Sequence, residues 1–247
     1  MTLKSAVRKL LPRAVKPRRI LGGPLRGQRI VTSWHDYPGA IRGTTEEALL
    51  EWFSDNVNEG DTWLDVGAHY GYTALALAAL VGPSGRVFAF EPILRTVGHL
   101  SQTRALNRLE NVSIVPLGLS NDRTVSPMQI RVDRGMASVD DGQEADTIYL
   151  LSLDTMWANL AGSSVQIDGI KIDVQGMELG TLQGMQVILR SSTPKVIVEL
   201  HPRVNRDAIL ALLSECGYRL PGVPVDPLPG EYVAAYVDDR SYVFLPG

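Results

Sequence analysis

The spacing of hydrophobic positions changes rhythm repeatedly after residue 45. Leu49, Leu50, Trp52, Phe53 and Val57 recur at helical spacing and predict a helix over 43–57, with Thr44 or Thr45 as its cap and acids in the first turn. TWLDV (62–66) is a continuous apolar run of strand length. Residues 72–81 are apolar on nearly every side and predict a buried helix, ended by the turn GPSG (82–85). RVFAF (86–90) predicts a second strand, 93–108 a helix and NVSIVPLGL (111–119) a third strand. Polar turns and short alternating runs over 121–150, such as MQIRV, predict small antiparallel strands or a flap. A helix around 153–161, a fourth strand IDGIKIDV (167–174), a helix over 177–190 and a fifth strand KVIVEL (195–200) follow. NRDAILALLSECG (205–217) predicts a helix with Gly217 at its C-terminal cap, and YRL and SYVFL two last strands.

Continuously apolar strands alternating with helices imply a mostly parallel sheet covered on both faces, a Rossmann-like, doubly wound α/β fold. A chain of 247 residues has room for one large domain of this kind. The expected division is a basic N-terminal extension or lid over 1–40 and a single domain over 41–247.

Charge and cysteine content narrow the setting. Residues 1–35 hold nine basic residues and no acid, so residues 36–247 carry −12 of a net −3. The arm is expected to be a solvated extension, or to touch an anionic membrane surface or a phosphate-bearing substrate. Nucleic acid is not an expected partner, because the arm's only aromatic residue, Trp34, stands at its very end. Cys216 is the single cysteine, which excludes an internal disulfide and multi-cysteine zinc sites and fits a reducing compartment. The longest apolar run, Ala74 to Val81, is too short for a bilayer, and the basic N-terminus lacks a signal-peptide apolar region, so the expected location is the cytoplasm.

In open α/β sheets, ligands bind beyond the carboxyl ends of the strands. Here those ends carry Asp65 and Gly67, Glu91, Gly118 to Asn121, Asp173 and Gly176, and Glu199 and His201. A dinucleotide wants G-x-G-x-x-G, but the turn after Asp65 has only Gly67 and Gly71, and His69 fills the middle position. S-adenosylmethionine has no pyrophosphate. Its carboxylate suits the helix N-terminus at Tyr70–Tyr72, its ammonium suits Asp65 and the turn, and its ribose diol suits Glu91, 26 residues on. This favours S-adenosylmethionine over a nicotinamide cofactor and a methyltransferase over an NAD-dependent oxidoreductase. A non-catalytic S-adenosylmethionine-binding module of the same fold is the alternative.

WLDVGAHYG, FEP (90–92), VPLGLSN (115–121), SLD (152–154), KIDVQGMELGTLQGM (171–185) and VIVELHP (196–202), in this order and spacing, resemble the FkbM-type methyltransferases. The resemblance runs from about residue 40 to 202. It implies the class I methyltransferase fold, a seven-stranded sheet with its last strand antiparallel. It also implies S-adenosylmethionine as cofactor, and usually O-methylation of a sugar, glycan or polyketide hydroxyl. His69 stands where the family usually has asparagine, and Gln175 where it often has glutamate.

Asp65 and Gly67 are assigned to the cofactor's methionine end, Asp65 alternatively being a turn acid that caps the helix; His69 is a cofactor contact of the same turn, and Glu91 is assigned to the ribose. Gly71 belongs to the same turn or serves close helix packing. Ser120 and Asn121 lie beside the adenine or form an ordinary turn. Methyl transfer needs an aligned acceptor oxygen and a group to take its proton. Asp173 is placed at the cofactor–acceptor junction, and His201 is a general base that titrates near neutrality. Glu178 is either catalytic or a helix-dipole partner. Asp173, Glu199 and His201 can also form a divalent metal site, whose single nitrogen suits manganese or zinc better than magnesium. Lys171 lies inside the fourth strand as a salt-bridge partner or a functional group. Trp34, His35, Asp36 and Tyr37 form a polar–aromatic cluster able to cover an acceptor pocket.

Overall fold

The computed structural model describes residues 11–131, 136–137, 144–162, 164–231 and 235–247; Lys4, Arg8 and Lys9 of the basic arm lie outside the described residues. The N-terminal part forms a hairpin, β1 (Lys16–Arg19) and β2 (Arg29–Thr32), then α1 (Pro38–Arg42) and α2 (Glu47–Asn56). The α/β alternation follows as β3 (Thr62–Val66), α3 (Tyr72–Val81), β4 (Arg86–Phe90), α4 (Leu94–Asn107) and β5 (Val112–Val115). A small sheet is then built from β6 (Gly118–Leu119), β7 (Thr124–Arg131), β8 (Met136–Ala137) and β9 (Glu144–Leu151). The chain resumes with α5 (Leu153–Ala161), β10 (Gly169–Ile172), α6 (Glu178–Gln183), α7 (Gln186–Ser192) and β11 (Lys195–Leu200). It closes with α8 (Arg206–Glu215), β12 (Val223–Pro224) and β13 (Arg240–Phe244).

The main sheet has the order β12-β13-β11-β10-β3-β4-β5. β11, β10, β3, β4 and β5 are parallel neighbours, and β13 runs antiparallel to β11 and β12. This is the doubly wound sheet expected, with its last strand reversed. Register sets the site: Val66 pairs with Ile172 and with Phe90, so three neighbouring strands end level. Gly67, Glu91 and Asp173 therefore leave the sheet along one edge.

Both faces are covered, which is why every residue of β3 is buried. Leu64, Val66, Ile170 and Val198 face one core, shared with Leu182 of α6 and Leu213 of α8. Trp63, Val87, Ala89 and Ile197 face the other, shared with Phe53 of α2 and Leu75 of α3. The N-terminal hairpin belongs to this second core through Ile20, Leu25 and Ile30, while Lys16, Arg19, Arg26 and Arg29 stay exposed. Its second strand is tied to α4: Val31 N–H donates to Thr103 Oγ1 at 3.0 Å, and Arg29 N–H to Asn107 Oδ1 at 2.9 Å.

Four boundaries differ from the sequence reading. The helix expected from residue 43 starts at Glu47; neither Thr44 nor Thr45 caps it, and Glu46 takes the cap position at φ 55°. The third strand divides after Val115, because Pro116 has no N–H for the ladder, and Gly118–Leu119 pair instead with β9. The helix over 177–190 divides at Gly184, where a Cβ would stand 2.1 Å from the Ser120 carbonyl oxygen. YRL is no strand: Tyr218 makes one bridge to Pro246, and Val223–Pro224 form the strand beside β13. No helix among the described residues is long and apolar enough to cross a membrane.

Candidate functional site

The turn after β3 is held by backbone groups. Gly67 and Ala68 donate their N–H groups to the Phe90 carbonyl at 3.0 and 2.9 Å. Gly67 sits at φ 85°, and a Cβ there would lie 1.8 Å from the Asp173 carbonyl oxygen. Only glycine tolerates both conditions. His69 is also left-handed, at φ 50°, and its N–H donates to Glu91 Oε2 at 3.0 Å. Its ring lies 4.0 Å from that of Tyr70 and 5.5 Å from that of Tyr37, centroid to centroid. Gly71 begins α3 at φ 89°, and a Cβ would meet Leu100 Cδ1 at 2.4 Å, so this glycine serves the packing of α3 on α4.

Glu91 is 5% exposed. One carboxylate oxygen accepts from His69 N–H and the other from Ile93 N–H at 2.9 Å. Burial pushes its pKa up to about 7, against the pull of those two hydrogen bonds. Each oxygen keeps a further lone pair, which is the acceptor capacity that a vicinal diol requires. Glu91 opens on a cavity of about 230 Å³ bounded by the glycine turn, by Ile148 and Leu150 of the small sheet, and by the ends of β10 and β11. A glycine cradle and a buried carboxylate able to accept from a diol, with no cluster of basic groups among the described residues of the wall, fit S-adenosylmethionine.

The far wall is a charged network. Lys171, 4% exposed, places Nζ 3.3 Å from Asp173 Oδ2 and 3.5 Å from Asp65 Oδ1. Burial opposes its charge, but Asp173 and Asp65 outweigh that and hold its pKa above the ordinary lysine range. Burial likewise opposes ionisation of Asp173, and Lys171, His201 and the Gln175 amide overcome it, so its pKa falls. Asp65 is fully buried; its Oδ2 accepts from the Thr73 hydroxyl at 2.6 Å. His201 Nδ1 lies 2.6 Å from Glu178 Oε1, and its Nε2 lies 2.7 Å from Gln175 Nε2. A carboxylate on one side and an amide N–H on the other assign the proton to Nδ1 and the lone pair to Nε2. Nε2 is also 3.5 Å from Asp173 Oδ1 and from Glu199 Oε1. Burial works against the imidazolium, but the Glu178 hydrogen bond and the nearby carboxylates raise the His201 pKa. Glu199 is pushed up to about 7 by burial, then by Asp173 and Glu46.

Ligand atoms of Asp173, Glu199 and His201 lie within 4.8 Å of one another. Glu178 anchors the other ring nitrogen, as carboxylates do for metal-bound histidines. Lys171 and Gln175 already supply positive charge and hydrogen-bond donors to the same group.

Of the residues singled out in the sequence, Gly67, His69, Glu91, Lys171, Asp173 and Glu199 line the cavity. Asp65, Gly71, Glu178 and His201 stand outside that wall; Asp65 is joined to it through Lys171 and His201 through Gln175, and Glu178 reaches it only through His201. Ser120 and Asn121 also lie off the wall; Ser120 Oγ bonds Asn121 Oδ1 at 3.2 Å, and Gly118 and Leu119 take the place facing the cavity. Asp36 and Tyr37 of the polar–aromatic cluster reach it. Glu46 lines it too and was not anticipated, since an acid at a helix start reads as an ordinary dipole partner.

A sequence profile of the methyltransferase FkbM domain matches residues 65–220. The hexuronic acid methyltransferase AglP of Haloferax volcanii is 30% identical over 180 residues, covering 71% of this chain and 70% of that protein. The methyltransferase FkbM of Methylobacillus flagellatus superposes with a TM-score of 0.52 at 16% identity, over 79% of this chain; this chain spans 50% of that one. Aeropyrum pernix fibrillarin, whose crystal structure holds natively bound S-adenosyl-L-methionine, gives 0.52 at 16% identity, over 94% of this chain and 88% of that one. Those two likenesses concern the fold. The profile match and the archaeal relative carry the assignment: the chain belongs to the FkbM family of S-adenosylmethionine-dependent methyltransferases.

Proposed function

We propose that the protein methylates a hydroxyl of a sugar or glycan. The observation that carries this is Lys171, Asp173 and Glu199 on the same cavity as Gly67 and Glu91, with His201 behind the two carboxylates. When bound, S-adenosylmethionine supplies an electrophilic methyl group. Gly67, His69 and Glu91 hold it, with Glu91 on the ribose diol. A sugar hydroxyl is a weak acid and must lose its proton as the methyl arrives. Asp173 orients the hydroxyl. The proton passes by way of the Asp173 carboxylate to His201 Nε2, 3.5 Å behind it, as Nε2 gives up the hydrogen bond from the Gln175 amide, and Asp173 and Glu199 stabilise the imidazolium. Glu178 fixes the ring through Nδ1 and is a positioning residue.

The archaeal relative's hexuronic acid supports a sugar acceptor. A uronic acid offers two kinds of oxygen, and a proton-accepting network favours the hydroxyl, since a carboxylate needs no base. The test is incubation with methyl-labelled cofactor and a panel of hexose and hexuronic acid glycosides. An alkali-stable methyl ether on the sugar is expected. An alkali-labile ester, or no transfer to any sugar by protein that binds the cofactor, overturns the reading; any turnover removes the non-catalytic alternative.

The clustered donors of Asp173, Glu199 and His201 favour a second version in which a divalent cation at these residues lowers the hydroxyl's pKa. Full activity after chelator treatment excludes it. Loss restored by manganese or zinc supports it.

A further inference from the structure

Among the described residues, five carboxylates line the cavity: Asp36, Glu46, Glu91, Asp173 and Glu199. Four are engaged. Asp36 accepts from the Ser33 hydroxyl at 2.6 Å and lies 3.0 Å from His35 Nδ1. Glu91 takes two backbone N–H groups, Asp173 takes Lys171 and Gln175, and Glu199 faces His201. No hydrogen bond or ion pair joins the Glu46 carboxylate to another described residue. Burial first, then Asp173 and Asp65 against the pull of Lys171, raise its pKa. A cation placed against it would relieve that cost.

The backbone supports a ligand role. Glu46 holds φ 55°, a strained conformation for a residue with a side chain, and makes no side-chain cap to α2. It shares the cavity wall with Tyr37, Tyr72 and Thr73, apart from Glu91, the residue assigned above to the ribose diol. Asp65 is the acid the sequence offers for the cofactor's amino group. Its carboxylate is fully buried and off the cavity wall, with Oδ2 accepting from the Thr73 hydroxyl and Oδ1 facing Lys171 Nζ at 3.5 Å without a hydrogen bond.

We propose that Glu46, in place of Asp65, receives the α-ammonium group of the cofactor's methionine end. This rests on S-adenosylmethionine being the cofactor. Asp65 then acts from below by holding Lys171, and the cavity wall is completed by a residue upstream of the glycine turn.

The test is calorimetric titration of the intact protein and of Glu46→Gln with three ligands. S-adenosylmethionine has the ammonium and the sulfonium, S-adenosylhomocysteine has the ammonium alone, and 5′-methylthioadenosine has neither. Loss of one charge-assisted hydrogen bond corresponds to about 10- to 100-fold in affinity. That loss is expected for the first two ligands, with 5′-methylthioadenosine unchanged within about twofold, which also shows the variant is folded. Equal affinities in both proteins overturn the proposal, as does equal weakening of all three ligands. Weakening of S-adenosylmethionine alone assigns Glu46 to the sulfonium and overturns it too. An intact protein that binds none of the three refutes the cofactor reading itself.

Discussion

The glycine turn after β3 and the charged network after β10 and β11 border one cavity but are built from different materials. The turn is backbone: N–H groups of Gly67 and Ala68 on the Phe90 carbonyl, N–H groups of His69 and Ile93 on Glu91, and a glycine pressed against the Asp173 carbonyl. The network is side chain: a buried lysine shared by two aspartates and a histidine fixed by glutamate and glutamine. A backbone site tolerates almost no change of shape and almost any change of charge beyond it. A side-chain site is the reverse, since each member can be replaced by an isostere that keeps the volume and alters the chemistry.

Four experiments press on this contrast. The largest effect is expected from Gly67→Ala. Its Cβ cannot coexist with the Asp173 carbonyl at 1.8 Å, and the residue sits at positive φ. A loss of more than about 3 kcal/mol, or failure to fold, is predicted. A folded Gly67→Ala protein that still binds S-adenosylmethionine would break the contrast.

Asp173→Asn removes one of the two carboxylates that neutralise Lys171. Breaking a buried ion pair costs about 3 kcal/mol, so a melting temperature several degrees lower is expected, together with a fall in kcat of about 100-fold or more. An unchanged melting temperature would mean that Asp65 alone satisfies the lysine.

Glu178→Gln keeps the volume and weakens the anchor on His201 Nδ1. The expectation is a kcat lower by about tenfold or more with cofactor affinity unchanged. The hydrogen bond raises the histidine pKa, so the acidic limb of the pH–rate profile should move to lower pH in the variant. A profile that stays in place would detach Glu178 from the chemistry.

The last test changes conditions and leaves the sequence alone, and at one pH unit below neutrality its effect is no larger than that of Glu178→Gln. With the Glu91 pKa near 7, the carboxylate is protonated in the free protein below that pH. A diol bound by the ionised form then competes with a proton, and cofactor affinity should fall about tenfold per pH unit below 7, and level off above it. Calorimetry between pH 5.5 and 8.5 reads this directly, and a flat profile would put the charge of Glu91 outside recognition.

How much of this was legible follows the same division. Continuous apolar runs gave away the buried strands, and two glycines with acids at strand ends marked the edge where Gly67, Glu91 and Asp173 meet. Periodicity does not carry a left-handed φ at Glu46, so an acid in a first helical turn read as a dipole partner. Nor does it say which of two neighbouring strand-end residues faces inward. Ser120 and Asn121 were read either as lying beside the adenine or as an ordinary turn; Gly118 and Leu119, just before them, are the residues on the cavity wall. Pro116 was the available signal that the third strand ends early and that the next pair joins another sheet. The burial of Ile20, Leu25 and Ile30 was hidden by the charge around them, because a stretch with nine basic residues reads as solvated even when every few positions anchor it.

That anchored hairpin has a consequence for how the enzyme can change. Asp36, Tyr37 and Glu46 reach the cavity from a stretch that precedes residue 65, where the family profile begins to match. The hairpin pins this stretch through Thr103 and Asn107 of α4. New loops grafted between Ser33 and Glu46 would thus inherit a fixed mounting point, but they would also replace Tyr37, whose ring lies 5.5 Å from that of His69 in the glycine turn. This stretch is therefore tied to the cofactor side of the cavity and cannot vary as an independent cassette.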